Sequence, residues 1–115
     1  MLMIIRAFVF GAALLAAMAG SAAALELLMV ERANCPYCKR WNAEIGPLYA
    51  KTEEGRLAPL KRADIRQIPT DVAFETPVAV TPTFVLVGNG KEIGRITGYT
   101  DDFTFWGLLK NLLKR

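Results

Sequence analysis

The sequence predicts an α/β fold in which a mixed four-stranded sheet, ordered β-α-β-α-β-β-α, carries helices on both faces. Three observations predict it. A short apolar run from Leu25 to Val30 leads into Cys35-Pro36-Tyr37-Cys38, and helix-compatible residues follow. A second strand comes after that helix, so the first two strands pair in parallel through a right-handed crossover. Two apolar runs joined by Gly88-Asn89-Gly90 then form an antiparallel hairpin.

Residues 1–24 read as a leader rather than as part of the fold. Arg6 is the only charge before Glu26, Ala7 to Ala19 is apolar, and Ala22-Ala23-Ala24 supplies small residues for a cleavage site. The pattern is that of a secretory signal peptide cut between Ala24 and Leu25. The competing reading is an uncleaved anchor, because the stretch from Ala7 to Leu25 is uncharged and could just span a bilayer. Its alanine and glycine content argues against that. The remaining chain, 25–115, is one small domain with enough residues to bury a core. It carries 13 basic and 11 acidic side chains, too few and too mixed for a nucleic-acid stripe.

Leu25 to Glu31 is the first strand. Pro36 to about Lys51 is helical, with Trp41, Ile45, Leu48 and Tyr49 on one face. Gly46-Pro47 predicts a kink or two short helices, and Gly55 is the expected C-cap of the helical region. Trp41 and Tyr49 read as core. The second strand is expected at Ala58 to Ala63, with Lys61 and Arg62 marking an exposed side or end. Residues 66–80 contain Pro69 and Pro77 and are read as a connection with a short helix near Thr70 to Glu75. Thr83 to Val87 and Glu92 to Thr97 form the hairpin, and Gly98 ends it. Asp101 or Asp102 caps a last helix, whose expected apolar face is Phe103, Trp106, Leu109, Leu112 and Leu113.

Cys35 and Cys38 are the only cysteines of the 115 residues, and there is no histidine. A C-x-x-C between a strand and a helix suits thiol–disulfide exchange. The helix start offers free N–H groups and a partial positive charge, which favour a thiolate. Pro36 fits the first turn, where a missing N–H costs nothing. Two other readings stand beside this one. Half of a zinc site would need two more ligands from carboxylates or another chain. A purely structural disulfide would close so short a loop that it removes little chain entropy. In an exported, oxidising compartment the pair would rest as a disulfide.

The C-x-x-C after the first strand, with Thr81-Pro82-Thr83 ahead of the hairpin, resembles the thioredoxin superfamily over nearly all of residues 25–115. The resemblance implies a cis bond before Pro82, beside the cysteines. Cys35-Pro36-Tyr37-Cys38 is similar to the glutaredoxin motif, and Gly98-Tyr99-Thr100-Asp101-Asp102 to the glutaredoxin segment that holds glutathione. Asn34 stands where thioredoxins carry Trp, and Met29 where they bury an acid, with Glu31 two residues on.

Cys35-x-Tyr37-Cys38-x-x-Trp41, the strand Thr81 to Val87, and Gly98-Tyr99 followed by Phe105-Trp106-Gly107-Leu108-Leu109 resemble the SoxS-type periplasmic thioredoxin-like proteins of sulfur-oxidation (Sox) operons. That resemblance implies a monomeric periplasmic reductase that keeps the cysteine of a sulfur-carrier protein usable. A membrane thiol-electron transporter would supply its electrons.

In this reading Cys35 is the nucleophile at the accessible helix start and Cys38 resolves. Pro82 shapes the groove, the Thr81 backbone pairs with an extended substrate, and Tyr37 tunes the potential. No metal, nucleotide or prosthetic group is implied. Two alternatives remain: a glutathione-dependent glutaredoxin-like enzyme, and a non-catalytic metal-binding module on the C-x-x-C.

Overall fold

The structure, a computed structural model, describes residues 24–115, so the leader expected at 1–24 lies outside the described residues but for Ala24. The strands are β1 (Leu25–Glu31), β2 (Leu60–Asp64), β3 (Thr83–Gly88) and β4 (Lys91–Thr97). The helices are α1 (Pro36–Glu44), α2 (Gly46–Tyr49), α3 (Glu53–Leu57) and α4 (Asp102–Leu113). The sheet order is β2-β1-β3-β4. β1 and β2 are parallel, with Met29 opposite Arg62. β3 is antiparallel to β1 and to β4.

Alternation along the strands splits the core in two. Leu27, Met29, Phe84 and Leu86 face the helices, where Trp41, Tyr49, Phe105 and Leu109 pack among them. The Trp41 indole is fully buried, with its ring centroid 5.1 Å from Phe84 and 5.7 Å from Phe105. Truncating so large a buried ring costs about 3–5 kcal/mol. Tyr49 keeps its phenol satisfied by donating to the Ala58 carbonyl at 2.6 Å. That bond ties α2 to the approach to β2.

The opposite face corrects one expectation. Leu28, Val30, Val85 and Val87 are covered by Ile65, Ile68, Val72, Phe74 and Val78 from an irregular segment, and there is no helix at 70–75. Helices therefore lie on one face, not both. The reason is where the backbone of this segment finds its partners. The Ala73 amide donates to the Gly90 carbonyl at 2.8 Å, and the Glu92 amide donates to the Ala73 carbonyl at 3.0 Å. The Glu75 amide donates to the buried Glu92 carboxylate at 2.9 Å. Pro69 and Pro77 flank the stretch and supply no amide donors.

Gly46-Pro47 does divide the helical region into α1 and α2. Gly55, expected as a C-cap, instead sits inside α3. Thr52 caps α3, its hydroxyl accepting from the Gly55 amide at 3.0 Å. Glycine is needed here because a Cβ would run into the Tyr49 carbonyl oxygen. At the hairpin, Asn89 and Gly90 both take positive φ (53° and 76°), as a tight type I′ connection requires.

α4 is capped by Asp101, whose carboxylate accepts from the Thr104 amide at 2.8 Å. Its buried positions are Phe105, Leu109 and Leu112, an i, i+4, i+7 stripe. Phe103, expected in the core, is 87% exposed. Capping at Asp101 sets Phe103 in the first turn and rotates that residue away from the sheet.

Candidate active site

β1 delivers the chain to the site, and a short turn aims it. Asn34 takes a left-handed φ of 61°, a conformation its small polar side chain tolerates better than most. Cys35 follows in extended conformation as the N-cap of α1, with Pro36 at the first helical turn. The Cys35 sulfur accepts from the Cys38 amide at 3.2 Å, so it takes up a helix-terminal donor that is otherwise free. One turn later Cys38 closes a disulfide with Cys35, with Cα atoms 5.2 Å apart.

The second half of the site comes from the turn before β3. The Thr81–Pro82 bond is cis. The Thr81 hydroxyl donates to Cys35 Sγ at 3.3 Å and accepts from Arg32 Nε at 3.1 Å. Thr83 steadies this turn, its hydroxyl donating to the Val80 carbonyl at 2.6 Å. The Gly98 amide donates to the Pro82 carbonyl at 2.7 Å, which draws the 98–100 loop alongside.

Together these segments line an open cavity of about 560 Å³ that includes Arg32, Cys35, Tyr37, Thr81 and Tyr99. The structure thus gathers Cys35, Tyr37 and Thr81 at one cavity, with Pro82 next in chain and Cys38 immediately behind. Tyr37 and Val80 form an apolar rim, each about half exposed. The expectation of an openly accessible Cys35 needs correction. The residue is only 2% exposed, because the 79–82 turn and α1 close over it, and it is reached through the cavity. Cys38, 3% exposed, does not line the cavity.

Met29, which stands where thioredoxins bury an acid, is fully buried in the same core cluster as Cys35 and Cys38. Glu31 is turned to the sheet edge instead, accepting from Arg62 at 2.8 Å and lying 3.5 Å from the Asn42 amide. Tyr99 anchors the far wall. Its hydroxyl donates to Glu44 at 2.5 Å and Arg40 lies over its ring, 5.5 Å from the centroid. Burial, reinforced by the Glu44 carboxylate, pushes the Tyr99 phenol well above its ordinary range. Among the described residues, no cluster of three or more His, Cys, Asp or Glu could hold a metal ion.

Sequence reading did not single out Arg32 or the Thr81 side chain. The available signal was a basic residue lying between the strand end and the C-x-x-C.

A family profile described as a thioredoxin-like domain matches residues 15–113. The periplasmic thioredoxin SoxS from Paracoccus pantotrophus, solved in reduced form, is 45% identical. It superposes with a TM-score of 0.76, covering 78% of this chain and 96% of its own. Thioredoxin from Malassezia sympodialis (24% identity, TM-score 0.56, covering 76% of this chain and 73% of its own) shares the fold. So does Fasciola hepatica thioredoxin (22% identity, TM-score 0.56, covering 76% and 80%). Comparison with curated protein sequences finds no significant match. A cysteine pair closed as a disulfide at a helix start, in a fold matched along almost its whole length, identifies the chain as a thiol–disulfide oxidoreductase of the thioredoxin-like family.

Proposed function

We propose that this protein is an exported protein-disulfide reductase in which Cys35 attacks and Cys38 resolves. The observation that carries the reading is the asymmetry of the pair. Cys35 lines the cavity and holds the hydrogen bonds from Thr81 and the Cys38 amide, whereas Cys38 lies behind it. In the reduced enzyme the Cys35 thiolate attacks one sulfur of a partner's disulfide. That S–S bond breaks, a mixed disulfide forms, and the departing partner sulfur takes up a proton. Cys38 then loses its proton and attacks Cys35 Sγ. The second partner sulfur leaves as a thiolate and is protonated. Two electrons have passed to the partner, and the Cys35–Cys38 bond has closed.

The half-exposed Tyr37 and Val80 offer an apolar rim for a protein partner, and the Thr81 backbone supplies donors and acceptors for an extended chain, as in strand addition. The likeness to a periplasmic thioredoxin and the leader-like residues 1–24 support export to the periplasm. A sulfur-carrier protein as partner and a membrane thiol-electron transporter as donor are what the sequence resemblance to the Sox-operon thioredoxin-like proteins implies. Among the described residues no helix is long and apolar enough to cross a membrane.

A Cys38→Ser variant expressed in the source cell should accumulate a mixed disulfide through Cys35, and the captured protein identifies the partner. Capture through the remaining cysteine of Cys35→Ser, with none by Cys38→Ser, reverses the assignment. A second reading, a glutathione-dependent enzyme, is favoured by the way the Gly98-Tyr99-Thr100 loop and Thr81 line the same cavity as Cys35. Turnover with glutathione as sole reductant would establish it.

A further inference from the structure

We propose that Arg32 is a positioning residue for Cys35: it orients the Thr81 hydroxyl so that the hydroxyl proton points at Cys35 Sγ, and it thereby stabilises the Cys35 thiolate. The proposal rests on the reading of Cys35 as the nucleophile.

A threonine hydroxyl has one proton and two lone pairs, and it rotates to suit its surroundings. Left alone, the Thr81 hydroxyl could turn its proton to any nearby acceptor. Arg32 removes that freedom. Its Nε–H, 3.1 Å from Thr81 Oγ1, can only donate, because a guanidinium keeps its proton at every working pH. One lone pair of the hydroxyl is thereby occupied, and its proton is directed along the 3.3 Å line to Cys35 Sγ. The two bonds form a chain, Arg32 to Thr81 to Cys35, that joins the end of β1 to the turn before β3 across the mouth of the cavity.

The chain acts differently in the two redox states. In the disulfide the sulfur is neutral and a weak acceptor. When an external dithiol supplies two electrons and the S–S bond breaks, one sulfur takes a proton and the other keeps its electron pair as a thiolate. A charge left on Cys35 Sγ turns the Thr81 bond into a charge-assisted one, roughly twice as strong as its neutral counterpart.

The Cys38 amide also donates to this sulfur, at 3.2 Å, and as a backbone donor it is untouched by the side-chain substitutions below. Among the described residues, Arg32 is the only charged side chain lining the cavity, and Tyr37 and Tyr99 are the other titratable groups there besides Cys35. The Tyr99 hydroxyl is turned to Glu44. On β1 and β2, Glu31 and Arg62 pair with each other. Glu44 on α1 is shared between Tyr99 and Arg40.

The test reads the pH dependence of Cys35 alkylation by iodoacetamide in the Cys38→Ser protein. Arg32→Met, Thr81→Val and the double variant are compared in that background, each checked for an unchanged unfolding midpoint. Arg32→Met should raise the Cys35 pKa by about one unit, roughly a tenfold loss of thiolate well below the pKa. In the Thr81→Val background the same substitution should do little, because the relay is already cut. The shift should survive about 1 M KCl, where the field of an exposed arginine is screened within about 3 Å.

No shift in Arg32→Met overturns the proposal. So does a shift that persists undiminished without the hydroxyl, or one that salt abolishes, since either marks a through-space charge. If Thr81→Val does not fold, Arg32→Met with its salt arm still decides. If Cys35 itself titrates as an ordinary thiol, the nucleophile reading fails, and that is a separate result.

Discussion

The Tyr99 hydroxyl donates to the Glu44 carboxylate at 2.5 Å, joining the loop after β4 to the outer face of α1. This bond holds one wall of the cavity against the helix that carries both cysteines. Tyr99→Phe should lower stability by about 1.5–3 kcal/mol near neutral pH, the usual scale for a hydrogen bond to a charged group. Alkaline titration gives the finer test. Burial raises the Tyr99 phenol above its ordinary 10.0, and burial followed by the field of Glu54 does the same for Tyr49. Above pH 10 the unfolded chain therefore loses protons that the folded chain keeps, so stability is whole below that pH and falls as pH rises beyond it. Denaturant midpoints between pH 9 and pH 12 should decline less steeply in Tyr99→Phe than in the parent. An equal slope in both proteins would remove Tyr99 from the account.

Glu92 and Arg95 fasten the irregular segment that replaces a helix on the second face. Arg95 donates to the Glu92 carboxylate at 2.7 and 2.8 Å and to the Thr76 carbonyl at 2.7 Å, while Glu92 also receives the Glu75 amide. The Glu92 side chain is only 3% exposed. Arg95→Met should cost about 3 kcal/mol, since it leaves a buried carboxylate without its counter-ion. Hydrogen bonding to Arg95 is the main cause that holds the Glu92 carboxyl below its ordinary 4.5. The stability this confers is present above about pH 4.5 and is lost as pH falls through the folded value. The difference in denaturation midpoint between Arg95→Met and the parent should therefore be largest near neutral pH and narrow as pH falls below about 4.5. Unchanged acid and chemical midpoints would mean the segment is held by its apolar side chains alone.

Gly55→Ala should destabilise the protein by about 1–3 kcal/mol, the range for forcing extra volume into a packed site. The added methyl has no flexible side chain to displace, because the obstacle is the Tyr49 backbone. A neutral result would mean that the Tyr49 backbone yields to the added methyl and that glycine is not required at this position.

These elements show where the sequence was readable and where it was not. β1, the hairpin and the C-x-x-C were legible because period-two apolar runs, a glycine-rich turn and paired cysteines are local signals. The mixed sheet followed from the crossover and the hairpin, whereas its order β2-β1-β3-β4 has no local signal; the roles expected of Tyr37 and Thr81 came with the family resemblance. Residues 66–80 misled because Val72, Phe74 and Val78 suit a helix or a covering strap equally well, and the deciding contacts lie at Gly90 in the hairpin turn and at Glu92 in β4. Phe103 and Phe105 are two apart, so either could have led the buried stripe until the cap at Asp101 fixed the phase. Arg32 carries no local signature, since its partner Thr81 lies 49 residues away.

The leader reading has its own consequence. β1 begins at Leu25, which pairs with Gly88 at the sheet's end. Cleavage between Ala24 and Leu25 leaves the strand whole and adds nothing the sheet must accommodate. Intact mass measurement on protein from the cell envelope should give a chain starting at Leu25. An intact chain from Met1 retained in the membrane would instead make residues 1–24 an anchor.

Direction of electron flow is the last expectation, and it turns on the Cys35–Cys38 potential. Pro36-Tyr37 resembles the pair of glutaredoxins, which lie at about −200 to −230 mV, against about −120 mV for the strongly oxidising periplasmic type. No histidine stands between the cysteines to hold the thiolate. The Thr81 hydrogen bond to Cys35 works in the opposite sense, because any stabilisation of the thiolate raises the potential. A neutral hydroxyl exerts less pull than a cationic imidazole, so the midpoint should stay in the lower range. The gap of about 90 mV corresponds to roughly 4 kcal/mol for a two-electron couple, enough to set direction. Equilibration with glutathione buffers of graded ratio should place the midpoint near −200 mV or below. In Arg32→Met it should fall further, since that variant loses thiolate stabilisation. A parent midpoint near −120 mV, or a pair found fully disulfide-bonded in growing cells, would make this protein an oxidant.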